Sequence, residues 1–275
     1  MTQFLSEESP LEIFKKFKNS LGTHNINFDV LRLILTDYQS TKIQNQNLPT
    51  YIRNVAKSYR YHNLFPNDTK YKVLHRYLIT SHIIYCYSAI DDLCANILKL
   101  SNIKQFRINQ KKVLDHIQGN KIHIALSVLS MKSNNLSSLS DLENRVQCIK
   151  SERIEFKIVD YYRKIRNQQA HDFKMIENPY SELNIPKIED KYKLTPNNYE
   201  NLNEDDVKIF SFALLDIAQY LCSIIYDYKS EIKPYLIHRY YKDDKKRRQN
   251  GIRALLRQNF LFENYEISCI LEDIG

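Results

Sequence analysis

TKYKVLHRYLITSHIIYCYSAIDDLCANILKL, residues 69–100, decides the fold class. Ile83, Ile90 and Ile97 recur every seven residues, and so do Cys86, Leu93 and Leu100. At 3.6 residues per turn both sets fall on one face, so the stretch reads as one long amphipathic helix. No proline lies between Pro66 and Pro179, which leaves the whole region free of the strongest helix breaker.

The pattern repeats further along. A helix starting near Glu152 carries the stripe Ile154, Ile158, Tyr161 and Ile165. Asn203 with Asp206 resembles an N-cap and its N3 acid, and opens a helix striped by Phe210, Leu214, Ile217, Leu221, Ile224 and Tyr228. Pro234 marks the limit of that helix. Residues 108–150 read as two or three short helices with a Ser/Asn-rich loop at 130–140. Residues 177–202, with three prolines, read as a long loop. Before the long helix, residues 10–19 and 27–38 read as two short helices divided by a turn from Gly22 to Asn25, and 50–64 as another. The expectation is an all-α helical bundle at 66–230, a helical extension at 1–65 and a basic helical segment at 231–275.

Composition narrows the function. The four glycines, Gly22, Gly119, Gly251 and Gly275, lie far apart, which removes glycine-rich phosphate loops. The five cysteines include no CxxC pair and are odd in number, and four sit in apolar or helical contexts, which suggests reduced, mostly buried thiols in a cytoplasmic protein. The N-terminus lacks a basic region followed by an apolar one, so no signal peptide is expected. The most apolar run, 210–226, is interrupted by Asp216 and Gln219, and no membrane span is expected. His75 and His82 stand about 10 Å apart along their helix, too far to share one ion, and no HExxH occurs. Neither a metal nor another cofactor is expected. Residues 229–258 hold ten Lys or Arg against Glu231, Asp243 and Asp244, a net +7 of the chain's +8. Concentrated positive charge draws polyanions such as RNA, and Lys245, Lys246, Arg247, Arg248, Arg253 and Arg257 are the candidate contacts. A solvated basic helix is the alternative.

The helix from Glu152 ends in YYRKIRNQQAHD, residues 161–172. Relative to Ile165 on the apolar stripe, Arg166 lies roughly 100° to one side, Asn167 nearly opposite and His171 roughly 120° to the other side. The three polar residues share the face turned from the helix's own core. Arg166-Asn167-x-x-x-His171, late in an amphipathic helix of an all-α chain, resembles the RNxxxH motif of the HEPN superfamily.

The resemblance covers roughly 66–230 and implies a helical-bundle endoribonuclease that works without metal, usually as a homodimer with two motifs facing a cleft. It implies a toxin or an anti-phage abortive-infection effector, met by a neutralising antitoxin or a defence-system partner protein. The residue types suit RNA, which carries its own 2′-OH nucleophile. A histidine titrates near neutrality and can move protons, and an arginine fork matches phosphate oxygens. His171 is then the acid/base, Arg166 the clamp on the phosphorane and Asn167 an orienting group. The products would be a 2′,3′-cyclic phosphate and a 5′-OH. Asp91 or Asp92, on the earlier helix, would hold the motif, and Arg163 would add a phosphate contact. The alternatives are a non-catalytic HEPN module that binds RNA, nucleotide or a protein partner, and a helical interaction protein.

Overall fold

The computed structural model describes residues 9–42, 50, 57–58, 71–134, 136–171 and 179–274. The fold is all-α, with no strand among the described residues. Two compact units divide the chain. One comprises residues 1–20, Ser88–Lys157 and Ala213–Gly275, the other Leu21–Tyr87 and Ile158–Phe212. The helices α1 (Pro10–Lys42), α2 (Tyr71–Lys99), α7 (Ile154–His171) and α9 (Glu204–Ser223) each give a segment to both.

The first unit adds α3 (Ser101–Asn109), α4 (Lys111–Leu114), α5 (Lys121–Ser133), α6 (Leu139–Glu152), α10 (Lys233–Tyr240), α11 (Lys245–Asn259) and α12 (Asn264–Ile274). The Ile90, Leu93, Ile97 and Leu100 positions of the diagnostic stripe are buried, as the seven-residue repeat requires. Burial of α5 is nearly complete over residues 125–131. Near its end the Lys132 ammonium donates to the Ile225 carbonyl at 3.0 Å and pairs with Glu231.

The second unit contains α8 (Ile185–Tyr192). Ile83, Tyr87, Ile158, Tyr161, Tyr162, Ile165 and Phe210 are all buried there. Asp206 is buried too, and its carboxylate accepts from the Tyr162 hydroxyl at 2.7 Å, the Asn197 backbone N–H at 2.8 Å, the Asn197 amide at 3.0 Å and the Asn203 backbone N–H at 2.8 Å. Asn203 Oδ1 in turn accepts from Asp205 N at 2.8 Å, so the N-cap read from spacing is present. Burial raises the Asp206 pKa above its usual range against these bonds, which favour the ionised form.

Three boundaries differ from those read in the sequence. The turn at Gly22–Asn25 is absent, and α1 runs unbroken through it. Leu21 and Phe28 are buried on either side, and this packing outweighs the roughly 1 kcal/mol that one helical glycine costs. The helix opened by Asn203 ends at Ser223, ahead of Tyr228 and Pro234. Pro234 lies in the first turn of α10, which follows directly on a π-helical turn at Tyr228–Ile232. The loop at 177–202 contains α8, capped by Asn184 Oδ1 on Lys187 N and closed by Lys193 in a left-handed conformation. Pro186 is at its start, so the proline that suggested a loop opens a helix instead. Cys86, Cys94 and Cys222 are buried, while Cys148 and Cys269 are exposed. No single helix among the described residues is long and apolar enough to cross a membrane. The expected helix at 50–64 lies almost wholly outside the described residues.

Candidate active site and basic helix

α7 holds Arg166 beside its anchored face, one turn beyond the buried Tyr162, and not on the side turned from the core that the spacing predicts. Ile165 is fully buried, Tyr162 is tied to Asp206, and the Tyr161 hydroxyl donates to the Asn197 carbonyl. These contacts leave Arg166 and Asn167 half-buried at the edge of the packed face. The Asn167 side-chain oxygen accepts from Arg166 Nε at 3.2 Å and Nη2 at 2.9 Å. The Arg166 guanidinium carbon lies 4.2 Å from the ring centroid of Tyr87, which comes from α2. An aromatic face on one side and an amide oxygen at one edge hold the guanidinium in a single orientation. Asn167 therefore orients the arginine in this structure.

His171 is the last residue of α7, one turn beyond Asn167, which is about 6 Å along the axis. Its side chain lies outside the described residues. Arg163 pairs with Asp160, through Nε at 2.8 Å and Nη2 at 2.6 Å to the same carboxylate oxygen. Its charge is thus matched locally. Lys164 reaches both oxygens of Glu182 at 2.9 Å. Asp91 is half-buried and Asp92 exposed; both lie in the other compact unit. Tyr87 of α2 touches the motif through the Arg166 guanidinium, and it is not one of the stripe positions read from the sequence. Among the described residues, no group of three or more His, Cys, Asp or Glu is placed to hold a metal ion.

The basic segment forms α11, capped by Asp244, whose carboxylate accepts from Arg247 N at 3.0 Å. Ile252, Leu255 and Leu256 bury one side. Lys246, Arg253 and Arg257 are exposed and fall within about 40° of each other around the axis, well away from the buried side. Lys245 and Arg247 flank this stripe and are exposed. Arg248 turns back instead, with Nη2 at 3.4 Å from the Tyr241 carbonyl and 3.5 Å from that of Asp243. Arg257 Nη2 also donates to Asn264 Oδ1 at 2.9 Å.

Aromatic rings accompany the cations. The Arg239 guanidinium lies 5.8 Å from the Tyr235 ring and 5.7 Å from that of Tyr240, and Lys242 lies 5.5 Å from Tyr241. Tyr240 donates to the Gly251 carbonyl at 3.1 Å, joining α10 to α11. A Cβ at position 251 would stand 2.5 Å from Tyr240 Cε1, so glycine is what admits the ring. The charge count located this segment, but nothing in the spacing showed that Gly251 docks an aromatic helix against it. No family model matches the chain, and no curated protein or solved structure is significantly similar to it.

Proposed function

We propose that the chain is a metal-independent endoribonuclease of the HEPN type, acting as a homodimer in a toxin or anti-phage abortive-infection role. The observation that carries the reading is the guanidinium of Arg166, fixed between the Tyr87 ring and the Asn167 amide one turn before His171. Fixed donors stabilise charge that develops in a transition state better than mobile ones. In the proposed reaction, His171 of one copy takes the 2′-OH proton as the O2′–P bond forms. His171 of the second copy gives a proton to O5′ as the P–O5′ bond breaks. Arg166 stabilises the phosphorane between those steps. The products are a 2′,3′-cyclic phosphate and a 5′-OH. The exposed cations of α11 would add affinity for the RNA backbone without reading bases.

Purified protein should cleave single-stranded RNA in EDTA and leave DNA intact, since DNA lacks the 2′-OH. His171→Ala should lose about 10²–10⁴-fold in rate, the contribution of a positioned acid/base. Arg166→Lys should recover only part of what Arg166→Ala loses, because an ammonium cannot reproduce the planar fork. A His171→Ala protein as fast as wild type would falsify the reading. The basic helix, which needs no catalysis to bind a polyanion, would then favour a non-catalytic RNA-binding module.

A further inference from the structure

A second cluster of basic groups lies in the first compact unit, around the start of α5. A cleft of about 380 Å³ is bounded there by the segment preceding α5, by α5 itself and by α6. Its floor is apolar, with Leu142 and Val146 buried. Its polar lining includes His116, Gln118, His123, Gln147 and Lys150, with Glu143 on the exposed rim.

His123 is unusually well placed. Asn120 caps α5, and its Oδ1 accepts from His123 N at 2.8 Å. Gly119 precedes the cap with φ +144°, a conformation that side chains rarely adopt. A Cβ there would stand 2.8 Å from His123 Cδ2, so the imidazole rests on bare glycine backbone. Lys150 Nζ lies 3.0 Å from His123 Nδ1. An ammonium has no lone pair, so it donates and the ring accepts, which leaves a neutral imidazole with its proton on Nε2. Burial and then the Lys150 charge hold the imidazole below its usual pKa. Among the described residues lining the cleft, the charged and titratable groups beside His123 are Lys150 and Glu143 from α6 and His116 from the preceding segment.

We propose that this cleft binds a phosphomonoester dianion, anchored by Lys150 and by the Nε2–H of His123. Two basic groups at hydrogen-bond distance repel once both are charged, and a dianion between them reverses that sign. A carboxylate, with one charge, compensates only one of them. As the dianion enters, Nδ1 takes a proton from solvent and Lys150 turns from the ring to a ligand oxygen. The start of α5 adds the positive end of its helix dipole. The cleft is larger than a bare phosphate, and its apolar floor and two glutamine amides fit an organic group such as a nucleoside. The site does not depend on the nuclease reading.

The test is nitrogen NMR of the imidazoles in the full chain, titrated at constant ionic strength with inorganic phosphate, adenosine 5′-monophosphate and, as a monoanion, acetate. Phosphate and the nucleotide should drive a saturable change of the His123 ring to the imidazolium pattern, and acetate should not. Lys150→Gln should weaken phosphate binding about tenfold or more, as expected for a lost charge-assisted hydrogen bond. Lys150→Arg should keep most of it, which separates loss of charge from loss of folding. No saturable shift, an equal response to acetate, or unaltered binding in Lys150→Gln overturns the proposal.

Discussion

Arg166 can present five N–H groups, and two of its nitrogens donate to the single oxygen of Asn167. The ring of Tyr87 covers one face of the guanidinium. The arginine is therefore pre-ordered, and on the proposed reading less of its side-chain freedom would be lost when it meets a phosphate. Tyr87→Phe keeps the ring and should leave RNA cleavage near the wild-type rate. Tyr87→Leu keeps an apolar core residue but removes the aromatic face. A cation–π contact is worth about 1–2 kcal/mol when partly desolvated, so the cleavage rate should drop by about tenfold. Equal rates for the two variants would mean that the ring contributes packing alone.

Two predictions belong to the helices. Gly22 lies inside α1 with no atom within 4 Å of the position an added Cβ would take. Gly22→Ala should therefore stabilise the protein by about 0.5–1 kcal/mol, read as a higher denaturant midpoint with an unchanged slope. His82 of α2 is buried, with its ring 4.8 Å from that of Phe28 in α1 and Nε2 3.1 Å from Cys86 Sγ. Burial, helped by His24 and opposed by Asp29, lowers its pKa to about 4. In the unfolded chain the same imidazole titrates near its ordinary value of about 6.5. Between those values the unfolded state binds the extra proton. The contribution is present above about pH 6.5 and lost as pH falls towards 4, and reaches about 3 kcal/mol. Unfolding followed by urea at stepped pH should show this loss, and His82→Leu should flatten it.

At the scale of the whole chain, the basic charge and the polar motif belong to different compact units. The basic helix α11 belongs to one compact unit, and Arg166 and Asn167 to the other. On the proposed nuclease reading, RNA binding and cleavage should separate by mutation. Each phosphate contact on a single strand contributes about 0.7 to the slope of log affinity against log salt. Replacing Lys246, Arg253 and Arg257 together by alanine should lower that slope by about two and weaken RNA binding irrespective of sequence. His171→Ala should leave the slope intact while removing cleavage. An unchanged slope in the triple variant would assign the α11 stripe to solubility or a protein contact.

The repeats along the chain were sufficient to declare an all-α protein. Periodicity is a local property, and burial of Ile83, Ile90, Ile97 and the Ile154–Ile165 stripe follows directly from it. The Asn203–Asp206 cap was legible for the same reason, since both partners lie within one turn. The charge of α11 was a matter of counting. The local reading failed at Gly22, where packing outweighs the residue's average preference, and at Pro186, where a proline read as a loop signal occupies the first turn of a helix, a position that suits it. What only the tertiary structure decided are contacts between distant segments: Tyr87 against Arg166, Tyr162 and Asn197 on Asp206, Tyr240 on Gly251, and Lys150 on His123. No spacing encodes these partners. Each pair meets only because the apolar faces of separate helices pack in one register, and that choice is made by the summed burial of many side chains rather than by either residue of the pair.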